Sequence, residues 1–460
     1  MKLKNVRIQK LHGYISHDFT LDDDLILLVG INGSGKTSVL NAINWLLRLD
    51  IGRLASECFE LIELKFEARK FEYVLSATQT SKLLELKLIN ITADKTFPPL
   101  TAKLEISTKS MLNNPEKKYE QYISSRNLKP DEEELPTWNF IRKNLPRPIV
   151  IGLDRTLYTD QQKGISFDET IRIKLRPEKS IHSETPIDIV SELLIQQFSR
   201  RNNKLLELNR KLNETIVLAA FDDVYSNAQI LSLINQPPPT IKQLEKLHNQ
   251  ILDFLRDNNR VLDSDSSLVE DNFSYLTDSR IDNYFGKLKD LLKLREKKDD
   301  DLTYIVNIAQ FAKIDTLVNA FSEFEIKTRS ETEPLDEFLY VVNEFFIDSA
   351  KRIYFDKKTN RLKYNVIDKS NNLILEDQDI VSLSSGERQI LILLTYVRYK
   401  EEKIFLIDEP ELSLHIKWQE FFLTAVKRLK RKDCQLIIAT HSPEIIGNYR
   451  KNCRIFNPYK

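Results

Sequence analysis

Hydrophobic and polar positions alternate with a period of two in the first part of the chain. The alternation covers residues 2–9, 15–21 and 59–110, and it is typical of half-buried strands in an antiparallel sheet. Residues 25–29 differ, because every side chain in this short run is apolar. A run of this kind predicts a strand that is buried on both faces.

The middle of the chain changes to a helical period. Thr185 and Pro186 are typical of an N-cap and a first helical position, and apolar residues recur beyond them at helical spacing. The segment QPPPT at 236–240 interrupts the pattern, and a second helix is predicted after Thr240. Further helical patterns cover about 279–298, 302–325 and 334–351. Because the apolar seams are short and do not sustain heptads, we expect a compact helical insertion rather than a long coiled coil.

The strand pattern returns after this helical block. Residues 353–368 and 372–377 alternate again, whereas 404–407 and 436–440 are apolar runs that each lead into a polar cluster. Alternating strands and helices in this part predict a parallel sheet. We therefore predict an α/β fold with a mixed sheet core, an antiparallel β subdomain and an inserted helical domain. The predicted domains are an N-terminal lobe, the helical insertion and a C-terminal lobe, at 1–184, 185–351 and 352–460.

A glycine-rich segment directly follows the buried strand at 25–29. Gly30, Gly35, Lys36 and Thr37 have the spacing G-x-x-x-x-G-K-T of a phosphate-binding loop. Glycines let consecutive backbone N–H groups wrap a phosphate, and the following helix adds the positive end of its dipole. Lys36 would reach the β- and γ-phosphates of a nucleotide, and Thr37 would bind Mg²⁺. The predicted nucleotide contacts of this loop are Gly30, Asn32, Gly33, Ser34, Gly35, Lys36, Thr37 and Ser38. A glycine-rich turn can be merely a turn, but the strand and helix on either side favour the phosphate interpretation.

Two other strand ends carry candidate catalytic groups. Asp408 and Glu409 follow the apolar run at 404–407, where ligands bind in open α/β sheets. Such a pair often only caps a helix, but beside a phosphate loop we expect Asp408 to bind Mg²⁺ and Glu409 to act as general base. His441 follows the next apolar run and could donate a hydrogen bond to a γ-phosphate.

A second predicted anion site lies in the segment LSSGE. Ser384, Ser385, Gly386 and Glu387 lead into a predicted helix, so hydroxyl and N–H groups gather at its N-terminus. One chain has no need for two γ-phosphate sites. We therefore expect two chains to face each other, each closing the nucleotide site of the other.

Composition narrows the classes of partner. The 68 basic and 68 acidic residues give a formal net charge of zero, so any DNA contact must be local. The basic run KRLKRK at 427–432 is one candidate, although basic residues are also favoured at helix C-termini. The three cysteines form no C-x-x-C pair, which argues against a disulfide framework or zinc site. No apolar run approaches the ~18–20 residues of a membrane span, and the N-terminus lacks a signal-peptide core. We expect a cytoplasmic protein.

The order GINGSGKT, LSSGE, IFLIDE and THS resembles the Walker A, signature, Walker B and switch-histidine motifs of ABC-type ATPases. Within these, residues 1–180 and 352–460 are similar to the SMC/Rad50/RecF branch, and the forms LSSGE and DEPELSLH resemble prokaryotic OLD-like and Septu-type ATPases of antiviral defence. The resemblance implies an ABC-ATPase head that uses ATP and Mg²⁺. It also implies a homodimer closed around ATP, in which Ser385 and Gly386 meet the partner's γ-phosphate and hydrolysis at Glu409 opens the dimer. A higher oligomer is an alternative.

Departures from the resembling families shape the expected role. OLD nucleases carry a metal-binding Toprim domain after the ATPase, but only 19 residues follow His441, so we expect the chain to cut nothing itself and to control a separate effector, such as a nuclease. The alternative is a RecF-like DNA-binding ATPase of repair or recombination, while a scaffold with an inactive nucleotide site is disfavoured by the complete set of motifs. Three weaker expectations are Gln161 or Gln162 as the Q-loop glutamine, Tyr14 as an adenine contact, and Arg155 as either a phosphate ligand or a surface ion pair.

Overall fold

A computed structural model of the chain describes residues 1–152, 157–158, 185–220, 239–262, 270–296, 307–368, 370 and 372–456. The chain divides into two compact units. The first comprises Met1–Ile195 with Glu337–Lys460, and the second comprises Gln196–Asp336. The domain boundaries inferred from the sequence, at 184 and 352, stay predictions.

Strands and helices are numbered in chain order. The strands are β1 (Lys2–Leu11), β2 (Ile15–Thr20), β3 (Leu25–Gly30), β4 (Leu61–Ala68), β5 (Phe71–Gln79), β6 (Leu83–Asn90), β7 (Lys95–Thr96), β8 (Leu100–Lys103), β9 (Ile149–Ile151), β10 (Leu157–Tyr158), β11 (Lys351–Asp356), β12 (Arg361–Ile367), β13 (Leu373–Asp379), β14 (Ile404–Asp408), β15 (Gln435–Thr440) and β16 (Cys453–Phe456). The helices are α1 (Lys36–Arg48), α2 (Ile51–Ser56), α3 (Thr108–Met111), α4 (Pro115–Ser125), α5 (Leu135–Asn144), α6 (Pro186–Ala220), α7 (Ile241–Leu262), α8 (Glu270–Glu296), α9 (Ile308–Phe346), α10 (Ser385–Tyr399), α11 (Ile416–Leu429) and α12 (Pro443–Ile446).

A six-stranded sheet forms the centre of the first unit. Its strand order is β10-β9-β14-β15-β3-β16, and all neighbouring strands are parallel except β10 with β9. The register places Asp408 opposite Ala439, and Thr440 opposite Val29. The carboxyl ends of β14, β15 and β3 therefore lie side by side at one edge of the sheet. The predicted parallel α/β core is confirmed.

A second, antiparallel sheet packs on the other side of α1. Its order is β2-β1-β4-β5-β6-β7, with β8 paired to β6. Buried and exposed residues alternate along β4, as expected for a sheet with one covered face. Helix α1 buries Val39, Ile43 and Leu46 in a hydrophobic core that also contains residues of both sheets. The predicted antiparallel β subdomain is confirmed, and a three-stranded sheet of order β11-β12-β13 confirms the strands predicted after the insertion.

The second unit is helical within the residues that the structure describes. Its core is built from α6, α7, α8 and α9, and contains Leu212, Leu244, Leu247, Phe285, Leu288, Leu292, Ile314 and Phe321. In the described ranges, no helix combines the length and apolar character that a membrane crossing requires.

One local prediction was wrong. The separate helical patterns at 302–325 and 334–351 form one helix, α9, which continues through Pro334 and ends before β11. Proline removes one backbone donor and usually kinks a helix, yet flanking turns can hold it in place. Residues 112–138 contain α4 and the start of α5, and α4 begins with an Asn114 cap followed by Pro115.

Candidate functional site

The glycine-rich loop between β3 and α1 has a backbone that other residues would strain. Gly33 and Gly35 have φ values of 78° and 91°, in the left-handed region that glycine alone adopts freely. A Cβ atom on Gly30 would lie 2.6 Å from the carbonyl oxygen of Phe456, and one on Gly35 would lie 2.9 Å from Ile15 Cδ1. Close packing therefore requires glycine at position 30, whereas at positions 33 and 35 the backbone conformation requires it.

The polar groups of this loop turn inward. The Lys36 ammonium is buried and donates hydrogen bonds to the carbonyls of Gly30 (2.9 Å) and Ile31 (3.1 Å). Ser34 is also buried, and its hydroxyl has no hydrogen-bond partner among the described residues. Ser38, one turn into α1, is 3.2 Å from His12 Nε2. The loop thus surrounds the Lys36 ammonium, and the Ser34 hydroxyl remains available to hydrogen-bond a ligand.

Asp408 and Thr37, the two predicted metal ligands, are adjacent. Asp408 ends β14 and is only 7% exposed, and the nearby Thr37 side chain favours the charged form of its carboxyl group. Burial raises the pKa of Asp408 to about 6; Thr37 and Lys36 oppose this rise, and the negative charges of Glu409 and Glu411 add to it. Asp408 Oδ1 has no hydrogen-bond partner among the described residues. A buried carboxylate with one oxygen that lacks a hydrogen-bond partner is suited to bind a cation.

Glu409 has a backbone that is unusual for its residue type. Its φ is 44°, a left-handed conformation that is uncommon outside glycine and concentrates at functional sites. Its N–H donates to the Ala439 carbonyl at 2.9 Å, which ties the end of β14 to β15. The predicted general base is therefore fixed next to Asp408 at the carboxyl edge of the sheet.

His441 follows β15 and is paired with a residue that the sequence analysis missed. Its Nδ1 lies 3.0 Å from Glu411 Oε1, and its backbone N–H donates to the same oxygen at 2.7 Å. Glu411 is 7% exposed and belongs to the 3₁₀ turn Pro410–Ser413 that follows Glu409. In the sequence, Glu411 is a charged residue two positions after the Asp-Glu pair. Nothing in the sequence indicates that it contacts His441.

The segment LSSGE begins helix α10. Ser384 is the N-cap and forms a capping box with Glu387, whose carboxylate accepts from the Ser384 backbone N–H at 2.8 Å. Lys351 Nζ lies 2.7 and 3.0 Å from the two oxygens of the same carboxylate. Burial alone would raise the pKa of Glu387, but the Lys351 and Ser384 hydrogen bonds make the net change a lowering. The structure thus uses the Glu387 side chain to build the helix start, while Ser384 and Ser385 are exposed.

The other residues singled out in the sequence lie partly inside and partly outside the described residues. Tyr14 is 70% exposed in the turn between β1 and β2, whereas Arg155, Gln161 and Gln162 lie outside the described residues. Several cations of the run at 427–432 are engaged within the chain: Lys427 lies over the Tyr449 ring, Arg428 pairs with Glu337, Lys430 with Asp24 and Arg431 with Asp433. The nucleotide contacts expected of Tyr14, Arg155, Gln161 and Gln162, and the DNA contact considered for 427–432, stay predictions.

A glycine-rich loop after one strand of a parallel sheet, with carboxylates at the end of a nearby parallel strand, is the arrangement of P-loop nucleoside triphosphatases. The profile of the family described as "AAA ATPase domain" matches residues 1–446. The chain belongs to this family.

Curated relatives are similar over shorter segments. An uncharacterized protein of Methanocaldococcus jannaschii is 24% identical over 308 residues, which cover 66% of this chain and 36% of that protein. A "DNA double-strand break repair Rad50 ATPase" of Methanosarcina mazei is 37% identical over 67 residues, covering 15% of this chain and 6% of that protein. A "DNA replication and repair protein RecF" of Chlorobium luteolum is 38% identical over 65 residues, covering 14% and 18%. The chain therefore spans about a third of the length of the M. jannaschii relative.

Among solved structures, the chain aligns with an Smc head domain from Pyrococcus furiosus, which has an extended coiled coil and is bound to the C-terminal domain of ScpA. The alignment covers 97% of this chain and 91% of that chain, at 10% identity and a TM-score of 0.32. The chain is thus an ATPase-family protein with Rad50-like and RecF-like relatives.

Proposed function

We propose that the chain binds ATP at the loop between β3 and α1 and hydrolyses it to ADP and phosphate. The observation that carries this proposal is the convergence of the loop, Asp408, Glu409 and His441 at the carboxyl ends of β3, β14 and β15. Membership in the ATPase-domain family supports it. Lys36 exchanges its bonds to loop carbonyls for phosphate oxygens, and Glu409 takes a proton from the attacking water.

The donor set at the loop fits Mg²⁺ and phosphate. Thr37 and Asp408 are hard oxygen ligands, and Asp408 Oδ1 and Ser34 Oγ are buried atoms without partners among the described residues. Thr37 and Asp408 would hold the metal, which supplies positive charge to the β- and γ-phosphate oxygens when bound. Burial of Lys36 keeps competing water away from its ammonium group and strengthens the electrostatic attraction between this group and a phosphate.

We further propose that two copies close around ATP, with Ser385 and Gly386 of one copy meeting the γ-phosphate of the other. The exposed hydroxyls of Ser384 and Ser385 at the N-terminus of α10 support this, since such a terminus attracts an anion and needs no further partner in its own chain. The Lys351–Glu387 ion pair stabilises the N-terminus of α10.

Phosphate release by the purified chain, with Mg²⁺ and with EDTA, tests the enzymatic part. We expect Mg²⁺-dependent turnover in the wild type and a loss of about 10² to 10⁴-fold in Glu409→Gln, the range for removing a general base. Glu420→Gln, an exposed carboxylate on α11, is the matched control and should retain wild-type turnover. Equal rates in the wild type and Glu409→Gln would contradict the assignment of the base.

The dimer is tested by measuring the molecular mass of the Glu409→Gln variant in solution by light scattering. We expect ATP to convert the monomer into a dimer, and ADP to leave it monomeric, because only ATP carries the γ-phosphate that Ser385 would contact. Ser385→Arg should retain ATP binding and lose the dimer. A dimer that forms equally with ADP, or one unaffected by Ser385→Arg, would argue against closure around the γ-phosphate.

The narrower role that we propose is ATP-dependent control of a separate effector, such as a nuclease, in prokaryotic antiviral defence. Its support is the resemblance of LSSGE and DEPELSLH to OLD-like and Septu-type ATPases. Phage challenge of host cells that carry the gene with its neighbours, as wild type or Glu409→Gln, tests it. Equal plaque counts for both strains and for a strain without the gene would reject the defence role.

The second candidate is a DNA-binding ATPase of RecF type, favoured by the segment similar to RecF. Several cations of the basic run at 427–432 already form ion pairs with carboxylates of the chain, and this disfavours the run as a DNA-binding site. DNA affinity that falls steeply with salt, in the wild type with ATP, would favour this candidate.

A further inference from the structure

Glu411 stands out among the groups at the carboxyl edge of the sheet because one of its oxygens serves His441 twice. Oε1 accepts from the His441 backbone N–H at 2.7 Å and lies 3.0 Å from Nδ1 of the same residue. The carboxylate is 7% exposed, and its other oxygen, Oε2, has no hydrogen-bond partner among the described residues. A buried charge of this kind is costly unless a donor compensates it, and His441 is the donor within reach.

The turn that carries Glu411 is itself held in place. Gln419, on α11, donates through Nε2 to the carbonyls of Glu411 (3.3 Å) and Leu414 (3.0 Å). The Ser442 hydroxyl donates to Gln419 Oε1 at 2.7 Å. Gln419 and Ser442 therefore join the loops after β14 and β15 next to the Glu411–His441 contact.

This contact bears on which imidazole nitrogen carries the proton. A carboxylate can only accept, so the 3.0 Å approach of Glu411 Oε1 favours a hydrogen on Nδ1. A neutral imidazole has one N–H, and the remaining nitrogen, Nε2, then presents a lone pair. Among the described residues Nε2 makes no hydrogen bond, and the His441 side chain is 37% exposed, so this nitrogen is accessible to a ligand.

We propose that Glu411 is a positioning residue that fixes His441 as the Nδ1–H tautomer and leaves Nε2 as the nitrogen that serves the nucleotide. The tautomer is inferred from the 3.0 Å contact between Nδ1 and Glu411 Oε1, whereas the role of Nε2 rests on the proposed ATPase function. With Nδ1 protonated, Nε2 can donate to a γ-phosphate oxygen only when it carries a second proton.

Nitrogen-15 NMR of the ligand-free chain tests the tautomer. The spectrum is recorded about two units above the ordinary histidine pKa of ~6.5, where imidazoles are neutral. The chain has six histidines, so the signals of His441 are identified by their loss in His441→Asn. We expect a protonated Nδ1 in the wild type and in Glu411→Gln, whose amide oxygen still accepts. Wild-type His441 protonated on Nε2 would overturn the inference, even if every Glu411 variant fails to fold.

Kinetics test whether Glu411 acts through His441. We expect Glu411→Met to lower kcat by about 10- to 100-fold, as when carboxylate partners of metal-bound histidines are removed. Glu411→Gln should recover part of this loss, and Glu420→Met on α11 is the control. In the His441→Ala background, Glu411→Met should add less than a two-fold further loss; independent, multiplying losses would overturn the positioning role.

The two kinds of failure are distinguishable. A wild type without ATP turnover would count against the proposed function and leave the NMR result as a test of the tautomer. Normal turnover together with an Nε2–H tautomer would overturn the present inference and leave the ATPase proposal in place.

Discussion

Asp408→Asn should make the ligand-free chain more stable, although it removes a predicted metal ligand. The carboxylate of Asp408 is buried, and burial raises its pKa from 3.8 to about 6 against the opposing effects of Thr37 and Lys36. The charged form is thus disfavoured in the folded chain. An asparagine of the same shape can still accept from the Thr37 hydroxyl without bringing a charge next to Glu409 and Glu411.

The size of the effect follows from the two pKa values. A difference between about 6 and 3.8 corresponds to about 3 kcal/mol at about 1.4 kcal/mol per pKa unit. Between these values the folded chain holds a proton at Asp408 that the unfolded chain has released, so wild-type stability falls as the pH rises. The asparagine has no proton to lose. Its advantage is therefore small near about pH 4, grows by about 1 kcal/mol between about pH 5 and pH 8, and is complete above about pH 7.

Urea unfolding in EDTA, followed by tryptophan fluorescence, measures this difference. All three tryptophans (Trp45, Trp138 and Trp418) belong to the first compact unit, so the signal reports the unit that contains the site. The exposed Asp22→Asn is the control, because it makes the same chemical change on the surface of the same unit. Mg²⁺ with ATP should reverse the order of stability, since only the wild type gains the full binding energy.

Two results would refute this reasoning. One is an Asp408→Asn chain that is less stable than the wild type at pH 8 in EDTA. The other is a stability gain that does not change between pH 5 and pH 8, because a gain without pH dependence could not come from the ionisation of Asp408.

Two further predictions concern the supports of the site. Lys351→Met should destabilise the first unit by about 3 kcal/mol, because it leaves the buried Glu387 carboxylate without its cation; urea unfolding measures this, and recovery by Glu387→Gln in the same chain separates a charge effect from lost packing. Gln435→Leu should cost about 1–3 kcal/mol by the same measurement, because Gln435 accepts from the Leu3 backbone N–H at 2.9 Å and donates to the Leu3 carbonyl at 3.0 Å. Unchanged unfolding midpoints would contradict either prediction.

The sequence predicted the parts of the fold whose signals are local. The short apolar runs at β3, β14 and β15 each end in a polar cluster, and this was sufficient to predict a parallel sheet with its polar groups at one edge. The order of the strands was beyond reach, since β3 lies beside β15, which is separated from it by about four hundred residues. Gln435 illustrates the reason: it reads as a polar residue at a strand start, and only the fold brings Leu3 to it.

Helix α9 shows a different limit of local signals. The predicted helical patterns at 302–325 and 334–351 are separated by a polar segment that ends at Pro334, and proline lacks the N–H of a helix interior. The apolar residues on the C-terminal side, Phe338, Val341 and Phe345, are nevertheless fully buried in the first unit. At about 1.5–3 kcal/mol each, burial of these three side chains stabilises the helix by about 4.5–9 kcal/mol, which exceeds the roughly 3 kcal/mol that an interior proline costs. Tertiary packing therefore overrides the local preference.

The Glu411–His441 pair was missed because motifs were assigned strand by strand. The two residues are 30 positions apart and neither has a signal that points to the other. The parallel register of β14 and β15 supplies the connection: Asp408 lies opposite Ala439, so the turn after Asp408 and the turn after Thr440 leave the sheet next to each other. Glu411, in the first turn after the Asp-Glu pair, is thereby brought to the histidine. For a parallel sheet, the search for positioning residues should thus extend from each strand-end motif to the first turn of the neighbouring strand.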